Sequence, residues 1–164
     1  MADDFRARAK LWPKGNRYED FTIGQTFEHH WGRTITESDN ALFTTLTLHY
    51  NPLYFNVEFA RAHGHPSVVV NPMLVFTTVF GLTVEDLSEA GGAFLGVEAL
   101  TYWKPVYPRD TLTARSTVLA MRESQSSPTL GIVTWHSEGF NQQGERVIDF
   151  KRTNQINKRA AAGR

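Results

Sequence analysis

The chain contains no cysteine, which excludes disulfides, thiolate metal centres and a cysteine nucleophile. It carries no net charge either, because seventeen basic residues balance seventeen acidic ones. A dedicated nucleic-acid binder draws much of its affinity from neutralising phosphates, so a neutral chain argues against that partner. No apolar run approaches the length that spans a bilayer, and no membrane partner is expected. The opening MADDFRARAKLWPKG is polar and lacks the apolar core of a signal peptide, which makes the cytoplasm the expected compartment. There is no G-x-S-x-G, no phosphate-cradling glycine loop and no nucleotide fingerprint. His29 and His30 are neighbours on a strand and face opposite ways, and His63-Gly64-His65 has no carboxylate at a ligand spacing. Neither a metal nor a cofactor is expected.

What remains is an ordinary globular composition, 41% hydrophobic and 21% charged over 164 residues, the size of one domain. Residues 1–17 read as a polar arm, with Leu11 and Trp12 able to tie it down, and residues 159–164 as a frayed tail. Between them the domain runs 18–158. The segment 25–35 has strand character. Thr36-Glu37-Ser38-Asp39 is a helix start with a capping threonine, after which Leu42, Phe43 and Leu46 form an expected buried stripe. The helix ends near Leu48. An irregular turn with His49, Asn51, Pro52 and Tyr54 follows, then a short helix over 57–63 that Gly64 terminates. Asn71-Pro72 opens a helix to residue 81 that is apolar on nearly every face. Thr83-Val84-Glu85-Asp86 repeats the capping signature. Four strand-like runs then follow at 94–107, 111–123, 131–141 and 145–157. The expected architecture is α+β, an antiparallel sheet wrapped around the 71–81 helix with the 36–64 segment overhanging it as a lid.

His49 with Tyr54 is the sharpest chemical pair, a titratable imidazole beside a hydroxyl that can meet developing negative charge. From spacing alone the simpler reading is that His49 meets the end of the preceding helix and Tyr54 packs. The helix start at Asn71 is the second candidate. Pro72 has no N–H, so the free donors are those of Met73 and Leu74, of which Asn71 can take one. The other would be suited to polarising a carbonyl. Trp103, Trp135, Phe140 and Phe150 read as core or subunit contacts.

In order and motif the chain resembles the MaoC-like hydratases, close to the branch around mesaconyl-CoA hydratase. Segments similar to GRTITESDNALF at 32–43, GIVTW at 131–135 and FNQQGERVIDFKR at 140–152 recur there. The resemblance implies a hot-dog fold, a thioester of CoA or a carrier protein as substrate, and a homodimer or higher homo-oligomer. R-specific enoyl-CoA hydratases carry G-D-x-N-P-x-H at the turn. Here His49 occupies the aspartate position and Tyr54 the histidine position, while Asn51 and Pro52 match. The next family motif, H-G-M, corresponds to Asn71-Pro72-Met73. By this resemblance His49 and Tyr54 are the catalytic candidates, His49 as general base or acid and Tyr54 as proton donor or orienter. Asn51, Asn71 and Met73 are the substrate-binding candidates. The implied activity is a lyase on an α,β-unsaturated acyl thioester. Its alternatives are a non-catalytic acyl-thioester-binding subunit or silent partner, and a thioesterase.

Overall fold

The structure, a computed structural model, describes residues 14–159. Leu11, Trp12 and most of the expected arm lie outside the described residues, as does all but the first residue of the expected tail. The described part of the arm, Lys14 to Arg17, hydrogen-bonds residues 86 to 90 through Asn16, whose side chain donates to the Asp86 carbonyl, and through Arg17, which donates to Ala90.

Two short strands, β1 (Thr26–Glu28) and β2 (Arg33–Thr34), precede helix α1 (Glu37–Leu46). The expected single strand over 25–35 is therefore interrupted. β1 pairs with Arg115–Thr117, whereas β2 pairs with Thr111 and Leu112 at the other end of the same partner. Thr36 and Asp39 form the expected capping box, each side chain bonding the other's backbone N–H. A 3-10 turn (Pro52–Tyr54), helix α2 (Val57–Ala62), helix α3 (Pro72–Leu82) and one turn of helix α4 (Val84–Leu87) complete the helical half. Thr83 does not cap α4 with its side chain. Its hydroxyl donates to Phe80 and accepts from buried Arg152 instead, so a long-range partner overrides the local motif.

The meander follows as β3 (Phe94–Tyr102), β4 (Thr111–Glu123), β5 (Leu130–Phe140) and β6 (Arg146–Asn157). The first run is shorter than the expected 94–107, because residues after Tyr102 leave the sheet on the way to Pro105 and Pro108. All pairings are antiparallel, in the order β1-β4-β5-β6-β3, with β2 also on β4. Strict alternation of buried and half-buried residues along β5 shows one face turned to the core. α3 lies on that face. Val75 and Val79 pack with Leu112 and Ala114 of β4 and Ile148 and Phe150 of β6. Gly139 on β5 permits the close approach, since a Cβ there would sit 2.7 Å from both Val79 and Ile148.

α1 departs from expectation. Leu42 and Leu46 are 61% and 73% exposed, and the residues it buries are Asn40 and Thr44. Asn40 and Thr44 face inward, with Asn40 hydrogen-bonding the segments beneath it, and this leaves Leu42 and Leu46 outside.

Candidate functional site

Three segments meet around Asn40, which is 1% exposed. Its side-chain amide donates to the carbonyls of Tyr54 (2.8 Å) and Val69 (3.0 Å), and its Oδ1 accepts from the Asn71 N–H (2.7 Å). One side chain thus fixes the turn, the 68–70 segment and the start of α3 relative to one another. Sequence reasoning passed over Asn40. Its only signal is an asparagine, a weak helix former, inside a helical stretch.

Asn71 performs the second connection. Its Oδ1 accepts from the Met73 N–H at 3.0 Å, and its Nδ2 lies 3.1 Å from His49 Nδ1. A backbone N–H can only donate, so the amide orientation is fixed and the NH₂ end faces the imidazole. His49 Nδ1 is then the acceptor, and neutral His49 carries its proton on Nε2. The His49 ring meets Tyr54 edge-on with centroids 5.3 Å apart. The structure therefore brings His49, Tyr54 and Asn71 together, as the sequence suggested.

The other expectations fare differently. Met73 N–H is consumed by Asn71, and the Leu74 N–H bonds the Asn71 carbonyl at 2.9 Å, so the free donor expected at the start of α3 is not free. The Asn71 side chain closes that position by capping it. Asn51 likewise turns inward, accepting from the Leu53 N–H at 3.1 Å, with the extended backbone its following proline demands.

Below the turn lies a cavity of about 350 Å³. Leu53, Val69, Val70, Pro72, Val75 and Val106 supply much of its wall, with Tyr54, His65, Tyr102 and Lys104 as polar members. Tyr54 is 9% exposed, and burial raises its hydroxyl above the usual phenolic range. No protein group hydrogen-bonds that hydroxyl among the described residues, whereas the Tyr102 hydroxyl donates to the Pro72 carbonyl at 2.8 Å. Burial, with neighbouring Tyr54 adding to it, pushes Tyr102 up to about 12. Both are thus neutral hydrogen-bonding groups at neutral pH. His49 stands at the Tyr54 edge of the cavity rather than on its wall. No carboxylate lines the wall, and no cluster of three or more potential metal ligands occurs among the described residues.

An α+β domain in which an antiparallel sheet holds an apolar helix, with its cavity at that helix's start, is a hot-dog domain. A family model described as Mesaconyl-CoA hydratase matches residues 3–163, and the chain belongs to that family. It is 36% identical over 161 residues to the mesaconyl-CoA hydratase of Haloarcula marismortui, covering 98% of this chain and 45% of that protein. It is 40% identical over 145 residues to the beta-methylmalyl-CoA dehydratase of Chloroflexus aurantiacus, covering 88% of this chain and 41% of that one. Among solved structures, a MaoC domain protein dehydratase from Chloroflexus aurantiacus superposes with a TM-score of 0.86 at 38% identity, over 95% of this chain and 44% of its own. The chain spans less than half the length of these relatives.

Proposed function

We propose that this chain is an acyl-thioester lyase domain, adding water across an α,β-unsaturated acyl thioester or running the reverse elimination. The observation that carries this reading is the apolar cavity at the start of α3, with the unpartnered Tyr54 hydroxyl on its wall. The acyl chain would occupy the cavity and the thioester would lie near the His49–Tyr54 edge. CoA or a carrier protein would remain outside, in the cytoplasm.

Hydration puts OH on the β-carbon and H on the α-carbon, and negative charge builds on the thioester oxygen in between. Neutral His49 with its proton on Nε2 is a hydrogen-bond donor for that charge, in the manner of an uncharged imidazole electrophile. Tyr54 is the second donor. The bond from Asn71 opposes a general-base role for His49, because a base would need the Nε2 lone pair and hence a proton on Nδ1, against the Asn71 NH₂.

One observation favours a second reading, a non-catalytic acyl-thioester-binding subunit. With Nδ1 of His49 engaged and no carboxylate on the wall, His49 and Tyr54 supply donors for the carbonyl and neither is placed to activate water. A hetero-oligomeric partner would then provide it. Incubating the purified chain with crotonyl-CoA and following loss of the enoyl thioester separates the cases. Hydration by the chain alone supports the lyase. Binding without turnover, relieved by adding a partner hydratase, supports the subunit, and release of free CoA would make it a thioesterase.

A further inference from the structure

His65 is a polar member of the cavity wall to which the two candidate donors assign no task. It sits just after α2, where its backbone N–H donates to the Ala60 carbonyl at 3.1 Å. Its Nδ1 lies 3.0 Å from the Tyr107 hydroxyl, and Tyr107 is held in turn by Asp110, whose Oδ2 accepts from its backbone N–H at 2.8 Å. The other ring nitrogen, Nε2, has no protein partner among the described residues. The remaining polar side chains of the wall offer no base. Tyr54 is a neutral phenol, Tyr102 donates to Pro72, and the Trp103 N–H donates to Asp149. The Lys104 ammonium, paired with Glu145, has protons to give but no lone pair. An imidazole is the side chain that takes up a proton near neutrality.

We propose that His65 is a further catalytic residue, the general base that activates water through Nε2. This rests on the lyase reading, and it places within the chain the group that His49 and Tyr54 lack. A water takes about 30 Å³, so the cavity of about 350 Å³ holds one beside a short acyl group. When the Tyr107 hydroxyl accepts from Nδ1–H, the Nε2 lone pair is free. In hydration that lone pair takes a proton from water as the water oxygen bonds the β-carbon. The C=C electrons pass through the α-carbon to the thioester oxygen, where His49 Nε2–H and Tyr54 O–H meet the charge. As that charge returns, the α-carbon takes the proton from His65 Nε2 and the ring is neutral again. Elimination runs the same steps backwards. The imidazolium keeps its contact with Tyr107, because Nδ1–H still donates to the hydroxyl oxygen, so proton uptake breaks no bond of the ring.

Hydration of crotonyl-CoA by the purified full chain tests it. His65→Gln, which keeps an N–H but takes no proton, should lower kcat about 100- to 10,000-fold, the range for a lost general base. His65→Ala should be as slow, and added imidazole should restore part of its rate in proportion to the concentration supplied. Loss of a merely structural side chain would not respond in this way. Tyr107→Phe leaves the base and removes its partner, so kcat should fall about two- to tenfold, the worth of one neutral hydrogen bond, with KM unchanged. A His65→Gln variant within about twofold of the wild-type rate overturns the proposal and leaves the lyase reading standing. So does a folded His65→Ala whose loss imidazole does not relieve. If the wild type hydrates crotonyl-CoA only when a partner hydratase is added, the partner activates the water and His65 does not. If it never hydrates it, the lyase reading itself fails and takes this one with it.

Discussion

His49 and Tyr54 are the residues on which the proposed activity would turn, and their geometry gives them different sensitivities. If His49 acts as a donor through Nε2, His49→Ala should abolish turnover of crotonyl-CoA, while His49→Gln, which keeps an N–H at comparable reach, should retain part of it. A general base would show no such rescue, since an amide takes no proton. Tyr54→Phe removes one positioned hydroxyl and should lower kcat about 10- to 1000-fold, with a small change in KM if the hydroxyl meets charge that develops after binding. Steady-state kinetics of the three variants decides between these roles. A different histidine bears on stability. His29 was a weak signal in sequence, yet it is 6% exposed, with Nδ1 2.6 Å from Asp86 Oδ2 and Nε2 2.9 Å from Ser116 Oγ, which in turn meets Ser137 Oγ at 2.7 Å. The arrangement has the polarity of a catalytic triad but Ser116 and Ser137 are fully buried, so it reads as a structural network. Desolvation holds His29 below its ordinary 6.5, against the opposing pull of Asp86. The unfolded chain takes up that proton near the ordinary value and the folded chain resists it. Stability contributed by His29 is therefore present above about pH 6.5 and is lost as pH falls below it. The melting temperature should decline on acidification below that point, and less steeply in His29→Gln, although that variant starts lower for want of the Asp86 bond.

Among the elements, α1 shows both what the chain spells out and what it conceals. Its start was legible, because Thr36 and Asp39 complete their capping box within four residues. The helix start at Asn71-Pro72, the short helix closed by Gly64, and strands β4 to β6 were legible for the same reason: cap, breaker and alternation are local signals. The orientation of α1 was not. Periodicity finds the apolar stripe but cannot say that Asn40 has three partners at Tyr54, Val69 and Asn71, the last 31 positions away. Nor could the Thr83 motif reveal that Arg152, 69 positions on, would take the hydroxyl. The candidate site was half legible. The His49, Tyr54 and Asn71 cluster came from turn chemistry and family position, whereas Tyr102, Lys104 and Asn40 lie on different elements and converge only in the fold. Asn40→Ala isolates the element-level consequence. It strands one buried N–H and two buried carbonyls, so unfolding should become easier by about 2–4 kcal/mol, allowing for partial rescue by water. Urea denaturation measures this. Asn40→Asp, which keeps only the bond from the Asn71 N–H, should recover a minor share.

At the level of the molecule, the described chain leaves unusual surface uncovered. Leu42, Leu46 and Leu48 along and beyond α1, with Tyr50 and Phe55 on the adjoining turn, are all more than half exposed. Phe94 and Leu95, at 52% and 48%, stand on β3, which pairs only with β6 and so presents a free edge. Exposed leucines on a helix that buries Asn40 and Thr44, together with an open strand edge, form a surface that another chain could cover. The relatives, more than twice as long as this chain, hold sequence that could supply such a cover within one polypeptide. For this chain the proposed cover is a second copy, as the family resemblance implies, or the hetero-partner of the subunit reading. Light scattering coupled to size exclusion should then give a dimer or larger assembly for the purified chain. Leu46→Glu, at a position 73% exposed and remote in contact from the cavity wall, should shift the distribution toward monomer without lowering the monomer's own melting temperature. A chain that is monomeric alone and dimeric only when mixed with a catalytic hydratase subunit would favour the hetero-partner. One that stays monomeric with every such subunit offered would show that these leucines cover nothing, and the inverted face of α1 would need another cause. The decisive coupling is between assembly and ligand. If the interface completes the site, Leu46→Glu should weaken butyryl-CoA binding in proportion to the monomer fraction, and raising protein concentration should recover it, because dimer formation follows mass action.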